Sequence, residues 1–181
     1  MIGRRSFCTA IGAVTALFAA PDGADALALA GTSWSDAGQD YGIDPLMLYA
    51  VALQESHRVY GNVVKPHPFT LSTPSRTRRP ETYGEAARIL GGMTAGELAK
   101  LDVGLMQIHL ADHAKKAPRV VDFLNPAVNV RVGASILREA LNRAPGDLEL
   151  GIGRYNCWGD ELTARKYGRR VLAIYFNLRT L

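Results

Sequence analysis

The stretch DPLMLYAVALQES, residues 44–56, is the most informative segment of the sequence, because it shows both a helix start and a carboxylate among apolar residues. Asp44 followed by Pro45 is a helix start, because Asp caps the free N–H groups of a first turn and proline fits its first position. Glu55 lies three, four and seven positions after the apolar residues Ala52, Val51 and Leu48. These spacings place all four side chains on one face of a helix. We therefore predict a helix from Asp44-Pro45 to about Ser56 that carries a carboxylate on its apolar face.

The position of Glu55 suggests a chemical role. Partial burial and the negative end of the helix dipole both disfavour a carboxylate, so this position predicts a raised pKa for Glu55. A carboxyl group of that kind can act as a general acid near neutral pH. The alternative from position alone is that the last helical turn frays into solvent and exposes Glu55.

Composition narrows the class of protein. The chain has 181 residues, of which 48% are apolar and 21% charged, with a net charge of +4. These values fit one globular domain and exclude intrinsic disorder, collagen and a dense disulfide scaffold for the chain as a whole. The modest positive charge fits an anionic partner, and no run of Lys and Arg suggests nucleic-acid binding.

The first 28 residues resemble an export signal. Arg4 and Arg5 precede an apolar run over 10–20 and several small-residue cleavage patterns, so we predict a signal peptide over 1–28, cleaved between 26 and 30. The predicted mature domain is 31–181, periplasmic or secreted. The arginine pair leaves general secretory and twin-arginine export both open. Cleavage removes Cys8 and leaves Cys157, either a small buried side chain or an exposed thiol.

The pattern over 31–181 predicts a mainly α, single domain with a small β-hairpin or irregular excursion. Caps, proline positions and apolar spacing define the expected elements. They are long helices near 44–56, 126–143 and 161–178, shorter ones over 83–90, from Thr94 and over 147–156, and a loop or hairpin within 59–80.

Four further blocks follow Glu55-Ser56 in order along the chain. They are Gly104-Leu105-Met106-Gln107, then Asn125-Pro126 with Asn129, Gly133 and Leu137, then Tyr155-Asn156 before a glycine turn, and finally Tyr167 four positions before Val171. In order and content these blocks resemble the soluble lytic transglycosylase (SLT) domain family, which has a lysozyme-like fold and cleaves peptidoglycan. The resemblance covers about Trp34 to Tyr175.

Two features depart from the usual family pattern. Arg154 and Cys157 flank the Tyr-Asn pair where the family usually has small residues, and 49 positions separate Glu55 from Gly104. That long insertion resembles the transglycosylases that accompany conjugation, type IV secretion or pilus machines. Its arginines, Arg76, Arg78 and Arg79, are expected to be exposed, either as a solvated basic loop or as a surface for an acidic partner.

The resemblance implies a mechanism with one carboxylate. Glu55 would protonate the glycosidic oxygen and then deprotonate the sugar 6-hydroxyl, giving a 1,6-anhydro product, with simple muramidase hydrolysis left open. The resemblance implies that the substrate is peptidoglycan strands and that secretion, conjugation or pilus components are further partners. It also implies a monomeric protein that uses no cofactor and no metal and binds no nucleic acid. Tyr167 would orient Glu55, and the predicted substrate-binding residues are Ser56, Met106, Gln107, Tyr155 and Asn156, together with Tyr167.

Purely structural roles are the alternatives to several of these assignments. Met106 could be a core residue, Tyr167 a helix-packing aromatic and Ser56 a polar residue at a helix end. The remaining assignments rest on hydrogen-bonding side chains and apolar surface, which suit sugar recognition.

Two other classes of function remain open at this stage. His109 and His113 flank Asp112 in a pattern similar to a zinc-peptidase motif, which requires both histidines on one helix. A non-catalytic glycan-binding or structural component is the second alternative. Asp102 is the first candidate if a carboxylate other than Glu55 carries the chemistry.

Overall fold

A computed structural model describes residues 29–181. Residues 1–28, on which the predicted export signal and Cys8 fall, lie outside the described residues. Within 29–181 the chain is mainly α, as the sequence predicted. The helices are α1 (Ser33–Tyr41), α2 (Pro45–Ser56), α3 (Tyr83–Gly91), α4 (Ala95–Leu98), α5 (Leu110–His113), α6 (Pro126–Asn142), α7 (Leu148–Asn156) and α8 (Glu161–Leu178).

The helix starts read from sequence are confirmed by their capping hydrogen bonds. The carboxylate of Asp44 accepts from the Leu46 N–H at 2.9 Å, and the side chain of Asn125 accepts from the Ala127 N–H at 2.9 Å. Thr94 forms the predicted capping box at the start of α4. Each cap satisfies N–H groups that have no partner within the helix, which explains why these boundaries are fixed locally.

Helix α1 was missing from the sequence prediction. It begins at a capping box formed by Thr32 and Ser35 and ends at Gly42, whose φ of 60° is left-handed. Its buried residues, Ala37 and Gly38, are small and give little hydrophobic periodicity. The box and the terminal glycine were the available signals, since both mark helix ends independently of apolar spacing.

The excursion after α2 contains two hairpins, where the sequence predicted a loop or one hairpin. Strands β1 (His57–Tyr60) and β2 (Val63–Pro66) form the first. The second, β3 (Leu71–Thr73) and β4 (Arg76–Arg78), continues into a four-stranded antiparallel sheet. Its other strands are β5 (Asp102–Val103) and β6 (Ile108–His109), in the order β4-β3-β5-β6.

Helix α2 runs through the core. Seven of its twelve residues are buried, so it is apolar around most of its circumference and is not an amphipathic surface helix with one apolar face. It packs against α1, α6 and α8 and touches the first hairpin at its end. This central position holds the last turn of α2, with Glu55, where the helical and sheet parts meet.

Helices α7 and α8 approach each other unusually closely. A Cβ atom at Gly168 would lie 2.0 Å from the Glu149 carbonyl oxygen, and one at Gly153 would lie 2.1 Å from that of Ala164. Glycine at these two positions is therefore a packing requirement, although Gly153 had looked only like a helix-weakening residue in the sequence. Among residues 29–181, no helix is both long and apolar enough to cross a membrane.

Candidate active site

Glu55 meets the last helix of the domain through a hydrogen bond. The Tyr167 hydroxyl on α8 donates to Glu55 Oε1 at 2.6 Å. Tyr167 is buried, whereas Glu55 is half-buried at the end of α2. A short O–H···O bond to a carboxylate is among the stronger hydrogen bonds in proteins, so it fixes the orientation of the carboxyl group.

The Gly104–Gln107 segment, called here the glycine block, turns sharply between β5 and β6. Gly104 has a φ of 82° and Gln107 a φ of 46°, both left-handed. The Gly104 N–H donates to the Thr70 carbonyl at 2.8 Å, and the Gln107 side-chain amide donates to the same carbonyl at 3.1 Å and to the Gly104 carbonyl at 2.9 Å. The amide nitrogen of Gln107 thus holds its own strained backbone in place.

Asn129 on α6 anchors the glycine block from behind. It is 1% exposed, and its Oδ1 accepts from the Met106 N–H at 2.8 Å. Its Nδ2 donates to the carbonyls of Val103 and Phe123, each at 2.9 Å. The side-chain amide therefore uses both its donors and its acceptor on backbone groups, which makes it a rigid link between α6 and the block.

Glycines also allow the block to sit close to α6. A Cβ at Gly104 would lie 2.2 Å from Asn129 Nδ2, and one at Gly133 would lie 2.6 Å from Met106 Cγ. Neither position accepts a larger residue unless its neighbour moves. The glycines of two separate sequence blocks, Gly104 and Gly133, are therefore both explained by the packing of the glycine block onto α6.

Hydrogen bonds join the block to α2 and α7 as well. The Ser56 hydroxyl donates to the Leu105 carbonyl at 2.7 Å, and the Tyr155 hydroxyl donates to the Met106 carbonyl at 2.6 Å. Two successive carbonyls of the block are thus held by side chains from two different helices. The Ser56 contact holds the block next to the end of α2, and therefore next to Glu55, while the Tyr155 contact holds it to α7.

The structure gathers the predicted site residues around one junction but gives several of them structural contacts. Ser56, Met106 and Tyr155 are each 0% exposed, and Gln107 is 5% exposed. The polar side-chain atoms of Ser56, Gln107 and Tyr155 bond to backbone carbonyls. Met106 packs against α6, which agrees with its alternative role as a core residue. Asn156 is half-buried at the end of α7. Direct contact of these side chains with a glycan stays a prediction.

Asp102, the alternative carboxylate, is engaged elsewhere. Its Oδ1 lies 2.8 Å from His109 Nδ1, across the β5–β6 pair. His109 belongs to β6 and His113 to α5, so the two histidines do not share a helix, contrary to the geometry that the zinc-peptidase pattern requires. Within the described part of the chain, no group of three or more His, Cys, Asp or Glu side chains could hold a metal ion.

A polar cluster stabilises the first hairpin of the excursion. Arg58 pairs with Glu81 at 2.6 Å, and its guanidinium also lies 3.2 Å from His67 Nε2. Burial of the imidazole lowers the pKa of His67 below its usual range, and the positive charge of Arg58 lowers it further. The ring also stacks in parallel with Tyr60, with centroids 6.3 Å apart. His67 therefore acts as a neutral, buried polar group within the hairpin.

Sequence reasoning underrated two residues. Asn129 entered only as part of a motif, and Thr70 was not singled out, although both fix the glycine block. An asparagine on an apolar helix face is a usable signal, because a buried amide requires partners. Thr70 offered no such signal, since its carbonyl makes the contacts and every residue has a carbonyl.

A comparison with protein-family models identifies the family of the chain. The model of the transglycosylase SLT domain matches residues 32–170, and the chain therefore belongs to that family. Neither the curated proteins nor the solved structures gave a significant match. At the family level, membership implies peptidoglycan as the substrate and lytic transglycosylase as the class of enzyme.

Proposed function

We propose that the protein is a peptidoglycan lytic transglycosylase that cleaves the β-1,4 bond between MurNAc and GlcNAc, with Glu55 as its acid and base. The observation that carries this proposal is the 2.6 Å hydrogen bond by which buried Tyr167 orients half-buried Glu55 beside the glycine block. Asp102 is paired with His109, which favours a mechanism that uses one carboxylate.

In the first step, Glu55 donates its proton to the glycosidic oxygen and the bond from that oxygen to C1 breaks. The substrate's own N-acetyl group stabilises the positive charge that develops at C1. The leaving sugar departs with its new hydroxyl group, and Glu55 is left as a carboxylate. Proton transfer by a positioned carboxyl group typically contributes about 10²–10⁴-fold to the rate.

In the second step, Glu55 takes the proton of the 6-hydroxyl of the same MurNAc. The 6-oxygen attacks C1, a 1,6-anhydro ring closes, and Glu55 is protonated again for the next cycle. Because the nucleophile belongs to the substrate, the reaction gains from proximity and no second protein carboxylate is required. Glycosidases that use a protein nucleophile or an activated water typically need two carboxyl groups, whereas the proposed route uses Glu55 alone.

The cell compartment and the biological task are also proposals. A signal peptide over residues 1–28 would deliver the domain to the periplasm or the exterior, where peptidoglycan lies. The long excursion between Glu55 and Gly104 supports a role in opening the wall for an envelope-spanning secretion, conjugation or pilus machine.

Product analysis tests the reaction. We expect mass spectrometry of digested peptidoglycan to give anhydro-ended muropeptides, each one water lighter than the hydrolysed equivalent. Glu55→Gln should abolish these products while leaving glycan binding intact, and Glu139→Gln on the exposed side of α6 is the matched control. Hydrolysed ends would instead identify a muramidase, and wild-type protein that binds strands without releasing fragments would identify a glycan-binding component.

A further inference from the structure

A groove lies outside the candidate active site, between the β3–β4 hairpin and the segment that contains α4. Its volume is about 510 Å³, within the range typical of ligand sites. Its accessible apolar surface comes from exposed Pro74 and half-buried Met93, and the buried side chains of Leu71 and Leu101 lie beneath them. Its rim carries three cationic side chains, those of Arg76, Arg78 and Lys100. We call it the hairpin groove.

The charge of the hairpin groove is strongly one-sided. Glu97 is its one acidic lining residue, and that carboxylate is already committed: Oε2 accepts from the Thr94 N–H at 2.8 Å and from the Thr94 hydroxyl at 2.9 Å. These hydrogen bonds, with a smaller contribution from Arg78, lower the pKa of Glu97, so it stays ionised and keeps its cap.

The cations on the rim are exposed and available to a ligand. None of the ion pairs formed within residues 29–181 involves Arg76, Arg78 or Lys100. A groove with apolar surface and unneutralised cations on its rim is complementary to a ligand that combines carboxylates with short apolar groups.

The hairpin groove is directly connected to the glycine block. Leu71 follows Thr70, whose carbonyl accepts from the Gly104 N–H and the Gln107 side chain. On the other side, Leu101 precedes Gly104 by three residues, a span of at most about 10 Å. A chain attached to a sugar at the glycine block could therefore reach the groove within a few residues.

We propose that the hairpin groove binds the acidic stem peptide that peptidoglycan strands carry on MurNAc. This inference rests on the proposed function, because it requires a glycan strand at the glycine block. The peptide's carboxylates pair with Arg76, Arg78 and Lys100, and its small apolar side chains lie against Pro74 and Met93. The groove thereby makes the protein prefer peptide-bearing strands over bare glycan.

The first test compares two substrates. Wild-type protein and the Arg76→Glu/Arg78→Glu double variant would be assayed on intact peptidoglycan strands and on strands stripped of peptides by an amidase. We expect the double variant to lose roughly tenfold in rate on peptide-bearing strands, as two exposed ion pairs become repulsive, and to match wild type on stripped strands. Lys115→Glu/Arg143→Glu, an equal charge change at exposed sites outside the groove lining, should match wild type on both.

A second test needs no turnover. A fluorescent stem peptide released by amidase should bind wild type and the Glu55→Gln variant alike, weaken with rising salt, and fail to bind Arg76→Glu/Arg78→Glu. An equal loss on both substrates, no loss on either, or no binding of the free peptide would overturn the proposal, and an acidic protein partner would then be the better match for the groove. Peptide binding by a protein that releases no anhydro products would support the groove while removing the proposed function.

Discussion

Tyr167 and Glu55 lie 112 residues apart in sequence, and their side chains meet at 2.6 Å. The bond joins α8 to α2, two helices that pack against each other along the core. The catalytic carboxylate of our proposal is thus oriented by a residue from the far end of the domain. The integrity of α8 should therefore matter for the reaction although α8 contributes no carboxylate to the site.

We expect Tyr167→Phe to slow peptidoglycan cleavage by about 10–100-fold. The change removes one hydrogen bond to a charged group, typically worth about 1.5–3 kcal/mol, while it keeps the buried ring. The effect should fall on kcat with KM nearly unchanged, because the hydroxyl positions Glu55. A rate near wild type would mean that other contacts suffice to orient the carboxylate. Tyr41→Phe, which removes a tyrosine hydroxyl from α1, is a matched control.

Asn129→Ala should cost about 2–5 kcal/mol in the free energy of unfolding, measured by urea denaturation. It leaves the Met106 N–H and two carbonyls without their partner in the interior, and each such loss typically costs about 1–3 kcal/mol. Cleavage should fall as well, because the glycine block loses its anchor. Asn142→Ala at the exposed end of α6 should leave both quantities nearly unchanged, and equal effects at 129 and 142 would contradict the anchoring role.

Gly168→Ala should destabilise the domain by at least about 1–3 kcal/mol, the usual cost of forcing an added methyl group into a packed site. The clash is with backbone, the Glu149 carbonyl, so a side-chain adjustment cannot relieve it. Gly84→Ala in α3 meets nothing within 4 Å and should be neutral or slightly stabilising because alanine favours helix. Thermal unfolding, compared between Gly168→Ala, Gly84→Ala and wild type, is the measurement that checks this. A Gly168→Ala protein with the wild-type Tm would show that α7 and α8 can separate at little cost.

The depressed pKa of His67 predicts a pH-dependent stability. The unfolded chain binds a proton at this imidazole near its ordinary pKa of about 6.5, before the folded chain does, so the native state loses stability as pH falls below that value. For one proton the slope is at most about 1.4 kcal/mol per pH unit. Urea unfolding between about pH 8 and 5 should therefore show wild type losing more stability than His67→Gln, which does not titrate. Parallel curves for the two proteins would contradict this.

Much of the fold was predictable because its signals are local. Caps and proline positions at Asp44, Asn125 and Thr94 mark helix starts within four residues, and helical spacing placed Glu55 on α2. The exposure of Arg76, Arg78 and Arg79 was predicted too, and all three side chains are exposed. Helix α1 was missed because its small buried residues weaken the apolar period.

The site itself depended on tertiary structure. No spacing rule connects Tyr167 with Glu55 or Asn129 with Met106, because these contacts arise only after distant helices pack. The sequence named Ser56 and Tyr155 as sugar-binding residues, whereas the folded chain turns their hydroxyls toward carbonyls of the glycine block. By itself the sequence determined the helices other than α1 that carry clear caps or apolar spacing, because capping and periodicity act within a few residues. It also determined the motif residues and the family they resemble. The resemblance had implied the contact of Tyr167 with Glu55, and the packing of α8 on α2 makes it. Only the tertiary structure decided which of the other residues hold the backbone beside Glu55, because burial obliges each polar group to find a partner wherever the packed chain provides one.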